Sequence, residues 1–411
     1  MGKVTNRKQA LAGMKVVEYG DFISAPYCAK LMAELGAEVI KVEPPQGDSS
    51  RRHGPFLGNI PHPERSGLYL YQNTSKLGVT LNLDTSRGQQ ILQELIKDAD
   101  VFVENMLPQH SKELRIDYDT LSQVNQNLIV ASITPFGQTG KYSRYKAQAI
   151  NIAAVSGLSS IIGKPDREPL SYPLSLEHYQ NGAITAFAVL AALFSRRKIG
   201  KGQHIDVSET DCLAALYGGQ ALSSFVFHQR KRIRTGHRVP GFYPYTFLPC
   251  KDGFVSLIAV QGFQWKAFLQ IVGDGEVPEW YASDPRFKDR WACGAQHADA
   301  LDALLAPWLM SHTKEEIFTL CREKHVPFAP ARTIGEVAND SHLKERAYFV
   351  DIDHAETGKI KYPGAPYKLP QTPWRVSRPA PLLGEHNGEV YCQRLGYSRQ
   401  DLSDFRRAGI I

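Results

Sequence analysis

Paired cysteines are missing from this chain: the six it carries (Cys28, Cys212, Cys250, Cys293, Cys321, Cys392) stand far apart, with no CxxC. Neither a zinc site nor a disulfide framework is indicated, and reduced, mostly buried thiols are expected. Long apolar runs are missing too, since none reaches the ~20 residues of a membrane span. The first residues, Met1-Gly-Lys-Val-Thr-Asn-Arg-Lys-Gln9, lack the apolar stretch of a signal peptide, so a cytoplasmic protein is expected. A dense basic patch is also lacking. The 48 Lys and Arg against 42 Asp and Glu leave +6, which favours anionic small ligands over nucleic acid. No internal repeat or low-complexity tract is evident.

What is present is an alternation of strands and helices. Met14-Lys-Val-Val-Glu-Tyr19 reads as a strand, residues 25–35 as a helix and Glu38-Val-Ile-Lys-Val42 as a strand. The pattern recurs through Val79–Leu83, the helical 86–98, Val101–Val103 and Leu128–Ile133, so a parallel sheet covered on both faces is expected. An Ala-rich helix over 181–196 ends at the basic Arg196-Arg-Lys198. At 411 residues the chain exceeds what one core usually fills. The basic, Gly- and Pro-containing Arg230–Pro240 suits a linker. The expected division is a large domain over 1–228, a linker and small domain over 229–330, and a return to the large domain over 331–411 with a Pro-rich end.

Several segments resemble class III coenzyme A transferases of the CaiB/BaiF type. Near the start these are Ser24-Ala-Pro26, Leu35-Gly-Ala-Glu-Val-Ile-Lys-Val-Glu-Pro44 and Gly47-Asp48, followed by Asn73–Leu83 and Ala99–Asn105. Near the end they are Tyr362-Pro-Gly-Ala-Pro366, Thr372-Pro-Trp374 and Arg378-Pro-Ala-Pro-Leu-Leu-Gly-Glu-His-Asn387. The likeness covers essentially the whole chain. It implies an α/β fold with a Rossmann-like large domain and a small α/β domain, in two chains interlocked as rings. It also implies acyl-CoA and a carboxylic acid as substrates, with no tightly bound cofactor and no metal. By position, Lys76, Arg115 and Lys146 match basic residues that contact the coenzyme in formyl-CoA transferase, and Asn105 and Met106 match its adenine and pantetheine loop. Pro44 stands where a basic residue is found in some members. The glycine loop of the family is reduced to one Gly in Ala259-Val-Gln-Gly-Phe-Gln264.

The family's covalent catalyst is an Asp four residues before a Gly, and here that Asp is replaced. Read without gaps back from Leu190-Ala-Ala-Leu193 through Gly182, His178 falls at its place, with Glu177 beside it. Asp serves because its acyl derivatives stay activated as mixed anhydrides. The preferred reading is a non-catalytic subunit paired with an Asp-bearing relative. Succinyl-CoA:benzylsuccinate CoA-transferase of anaerobic toluene breakdown is such a heteromer, with succinyl-CoA as donor and an aromatic succinate as acceptor. In a second reading Glu177 is the nucleophile, although adjacent helical residues sit about 100° apart. A third makes His178 the base of an acyl-CoA racemase, but the racemase His and Asp would fall at Gln148 and Ala149. A buried structural histidine and a non-enzymatic coenzyme-binding scaffold stay open. His204 and Asp206 alternate as on a strand without a third metal partner, and His386 and Glu385 suit a surface turn.

Overall fold

The computed structural model describes residues 8–239 and 241–411 and forms two compact units. The first comprises the described residues up to Leu158, Ser171–Ser223 and Glu345–Ile411; the second comprises Ser159–Leu170 and the described residues of Ser224–Lys344. This departs from the expected division. The return to the first unit comes at Glu345 rather than 331, and 159–170 belongs to the second unit.

The first unit is built on six strands, β1 (Lys15–Tyr19), β2 (Glu38–Glu43), β3 (Lys76–Thr80), β4 (Val101–Glu104), β5 (Ile129–Thr134) and β6 (His204–Ser208). They lie in the order β3-β2-β1-β4-β5-β6, every neighbouring pair parallel. The order reverses between β1 and β4, and ligands in such sheets sit outside the carboxyl ends of the strands at that switch point. Its helices are α1 (Ser24–Glu34), α2 (Gly67–Gln72), α3 (Ser86–Ile96), α4 (Pro108–Glu113), α5 (Tyr118–Val124), α6 (Ala149–Val155), α7 (Leu176–Ile199) and α8 (Glu209–Leu216), with a last helix at Arg399–Arg407.

The period-2 alternation of each strand divides its side chains between two cores. Val16, Val39, Val103 and Ile133 face α1 and α7, whereas Val17, Val42, Val79 and Phe102 face α3 and the C-terminal helix. That two-sided burial is why Ile-Val-Ala-Ser-Ile-Thr of β5 is buried along its whole length. β3 begins at Lys76, three residues before the expected strand, because its polar positions are buried with partners rather than left in a loop. Phe349–His354 and Gly358–Pro363 pair as an antiparallel hairpin for which no strands were expected, and its second strand takes in Tyr362 and Pro363, where the Pro-rich extended tail to Pro381 was expected to start. The prolines after Pro363 carry no strand or helix up to Gly388.

The second unit holds an antiparallel three-stranded sheet, β7 (Tyr245–Cys250), β8 (Gly253–Ile258) and β9 (Phe328–Pro330). Its core is made with the helices Gly262–Val272, Ala298–Ser311 and Lys314–Glu323. Among the described residues no helix is long and apolar enough to cross a membrane. Cys28, Cys250, Cys293 and Cys321 are buried, and all six cysteines are unpaired.

Candidate active site

The chain enters α7 through an abrupt reversal. Leu174 and Ser175 both adopt left-handed backbone, φ 59° and 53°, and the helix begins at the next residue. Glu177 and His178 therefore lie side by side in its first turn but point to different surroundings. Glu177 is fully buried, and its Oε1 accepts from the Ser171 hydroxyl at 2.9 Å. His178, 9% exposed, lines a cavity of about 730 Å³ in the first unit. Its Nδ1 lies 2.8 Å from Glu209 Oε1, and the Phe22 ring meets the imidazole edge-on with centroids 6.1 Å apart.

Glu209 opens α8 and is itself buried, with its side chain 4% exposed. Burial works against the imidazolium, but the Glu209 hydrogen bond and the charges of Glu209 and Glu177 outweigh it. The His178 pKa is consequently raised above its ordinary 6.5. A histidine hydrogen-bonded to a carboxylate thus occupies the place where a transferase nucleophile is expected.

The cavity wall is made by the loops after β1, β4 and β5. Asn105 joins two of them: its Oδ1 accepts from the Asp21 N–H at 2.8 Å and its Nδ2 donates to Asp21 O at 2.8 Å. The next backbone amide, Met106 N–H, donates to Glu104 Oε2 at 2.6 Å. Burial raises the Glu104 pKa to about 7, and the Met106 N–H and the Ser132 hydroxyl oppose that only in part. Asp21 accepts from the Ser49 N–H and hydroxyl at 2.7 and 2.8 Å. Arg144 and Lys146, both exposed, place positive charge on the lining, with Gln148 between them and α6.

A second cavity of about 340 Å³ shares Asp21, Met106 and His110 with the first and is lined also by Pro44, Gln46, Gly47 and Arg52. The exposed Arg52 is on the same lining as Pro44, and its Nη1 donates to Gln46 O at 3.3 Å.

Of the residues expected from sequence, His178, Asn105, Met106 and Lys146 meet on one cavity. Glu177, Lys76 and Arg115 do not line it. Lys76 corrects the expectation of a coenzyme contact. Its side chain is fully enclosed, and the ammonium donates to Glu18 Oε2 (2.7 Å), Asn73 Oδ1 (2.8 Å) and Pro26 O (2.8 Å). Burial lowers its pKa to about 8. Glu18 is shared with Lys41, which also holds Asp48, so Lys76 belongs to a buried charge network that ties β1, β2 and β3 together. Arg115, exposed and with φ 59°, follows α4 outside both cavity linings.

Sequence reading missed Glu209, Arg144 and Arg52. Glu209 lies 31 residues from His178, and an acidic residue at a helix start is ordinary, so nothing in the sequence marked it as a partner.

The other two histidines singled out in the sequence, His386 and His204, have structural work. The Gly78 N–H donates to His386 Nδ1 at 3.1 Å, which fastens the closing segment to β3. His204 stacks on Tyr118 with centroids 5.3 Å apart, and its Nε2 lies 3.0 Å from the Ser132 hydroxyl. Asp206 accepts from the Gln138 N–H at 2.9 Å. Gly262 of the reduced glycine loop starts a helix in the second unit.

Residues 11–387 match the model of CoA-transferase family III. The chain is similar to a succinate–glutarate CoA-transferase of Agrobacterium fabrum, 32% identical over 96% of this chain and 98% of the relative. It is also similar to the succinyl-CoA:(R)-benzylsuccinate CoA-transferase subunit BbsE of Thauera aromatica, 30% identical over 94% of each chain. The crystal structure of a CAIB/BAIF family protein from Brucella suis superposes with a TM-score of 0.85 at 27% identity, covering 94% of this chain and 100% of that one. The chain belongs to CoA-transferase family III.

Proposed function

We propose that this chain is the non-catalytic subunit of a coenzyme A transferase. It binds an acyl-CoA in the cavity over His178, while an Asp-bearing homologous subunit carries out the covalent step. The observation that carries the reading is the His178–Glu209 pair at the nucleophile position. An imidazole cannot form the mixed anhydride that passes coenzyme from donor to acceptor. Two relatives are named as subunits, BbsE and a succinyl-CoA–L-malate CoA-transferase beta subunit of Chloroflexus aurantiacus, 31% identical over 98% of each chain. Those names support succinyl-CoA as donor and a dicarboxylic acid as acceptor.

Coenzyme A offers phosphates, an adenine and a thiol arm, and its site needs cations beside an apolar slot. Arg144 and Lys146 supply cations to the larger cavity and Arg52 to the smaller one, and the coenzyme spans both. A Rossmann-like reading of the first unit agrees with the 3-2-1-4-5-6 strand order.

Assembly as an interlocked dimer with the partner has its support in α7. While one stripe of this helix packs on α1 and β5, Phe187 and Phe194 on the outer side are 74% and 64% exposed, an apolar face suited to a protein partner. Glu177 as nucleophile has its full burial and its Ser171 bond against it.

Titration calorimetry with coenzyme A tests the binding half of the proposal. The chain is expected to bind, and Lys146→Ala to weaken binding about tenfold, the loss of ~1.4 kcal/mol. No heat of binding to the unaltered chain would overturn it.

A further inference from the structure

We propose that His178 and Glu209 form an acid–base dyad that hydrolyses acyl-CoA thioesters in the cavity, an activity of this chain distinct from coenzyme transfer. The inference rests on the cavity being the coenzyme site. Its starting point is the 2.8 Å contact between Nδ1 and Glu209 Oε1. With Nδ1–H donated to that carboxylate, Nε2 is the basic atom, and among the described residues the His178 ring makes no other hydrogen bond. A base oriented by a third group is the arrangement that activates a nucleophile.

The imidazole is on the cavity lining, and the edge-on Phe22 ring limits its swing. The nearby side-chain oxygens are engaged elsewhere: Asp21 accepts from Ser49, and the Ser24 hydroxyl accepts from Asn105 Nδ2 at 3.2 Å. No side-chain nucleophile is hydrogen-bonded to the dyad, so water takes that part. Glu177 adds negative charge from α7; the other ionisable groups on the lining are Asp21, His110, Glu113, Arg144 and Lys146.

In the step, Nε2 accepts a proton from water as the water oxygen bonds to the thioester carbonyl carbon. The carbon–sulfur bond of the tetrahedral intermediate then breaks, and the imidazolium returns the proton to sulfur. The products are the free carboxylic acid and the coenzyme thiol, with water as sole co-reactant. Glu209 acts through His178 as a positioning residue. General-base assistance contributes about 10²–10⁴-fold, so turnover is slow.

The test is thiol release from succinyl-CoA by the purified full chain, followed with a thiol-reactive chromophore across pH 5–9 (an assay range of about four units, wide enough to bracket an imidazole titration). The unaltered chain is expected to exceed the protein-free rate, with a rate that rises with pH through the His178 titration. His178→Asn should lower it about 10²-fold or more. Glu209→Gln removes the group that raises the His178 pKa, so it should lower the rate and move the rising limb to lower pH; Glu209→Asp should restore part of both. Release no faster than without protein, release unchanged in His178→Asn, or an unmoved limb in Glu209→Gln would each overturn the proposal. Should His178→Asn fail to fold by circular dichroism, the two Glu209 variants decide it. Calorimetry with coenzyme A separates the two claims: binding without hydrolysis sinks the dyad alone, and absence of binding sinks the coenzyme site beneath it.

Discussion

Lys76 and Lys146 carry the same charge to opposite ends. Lys146 is exposed on a cavity wall, where its charge is available to an anion at little desolvation cost. Lys76 is fully buried, and its worth lies in Glu18, which it shares with Lys41. Removing one member of a buried ion pair leaves the other charge unsolvated and costs about 3–5 kcal/mol. Lys76→Ala is therefore expected to lower unfolding free energy by about 3 kcal/mol in urea titrations, the low end because Glu18 keeps Lys41. Unchanged stability with weakened coenzyme binding would return Lys76 to the ligand site. Sequence could place both lysines in family positions, but which carboxylate would close on Lys76 depends on the register of β1, β2 and β3. The same limit hid Glu209, whose role exists only because α7 and α8 bring it to His178.

At the level of elements, the sheet was legible because Val, Ile and Phe fill its strands on both faces, a continuous apolar signal. β3 was shifted because its start holds Lys76, a residue that reads as loop when its partners are unseen. The Phe349–Pro363 hairpin was missed because Asp351, Asp353, Lys359 and Lys361 alternate with few apolar residues, and the prolines beyond dominate the composition.

α7 was recognised but began earlier than expected, since Glu177 and His178 sit in a first turn entered through left-handed Leu174 and Ser175. One turn further on, Gly182 lets α7 pack closely against α1. A β-carbon there would meet Ser24 O at 2.6 Å, and the Tyr27 ring and Cys28 N at 3.2 and 3.3 Å. The backbone oxygen cannot step aside without moving the start of α1, which carries the cavity loop. Gly182→Ala is expected to destabilise by about 1–3 kcal/mol through overpacking, measured as a lower urea midpoint. An unchanged or higher midpoint would mean that α1 and α7 are free to separate.

On the scale of the whole molecule, the family's α/β framework is kept, and His178 stands at the position that the resemblance assigns to the nucleophile. The strand order, the Asn105 clasp between two loops and the closing segment fastened by His386 all keep a cavity at the switch point of the sheet. On its lining, an imidazole hydrogen-bonded to Glu209 stands where the family resemblance places a carboxylate. Phe187 and Phe194 lie exposed on the outer side of α7, the face on which the proposed Asp-bearing partner would sit. Transfer of coenzyme from succinyl-CoA to an isotopically labelled dicarboxylic acid, followed by mass spectrometry with the chain purified alone, tests this most directly, because labelled acyl-CoA arises only by transfer and not by hydrolysis. Coenzyme binding with no labelled acyl-CoA formed is the expected result; sustained formation of labelled acyl-CoA by this chain without a second polypeptide would show that it carries out transfer by itself and overturn its role as a non-catalytic subunit.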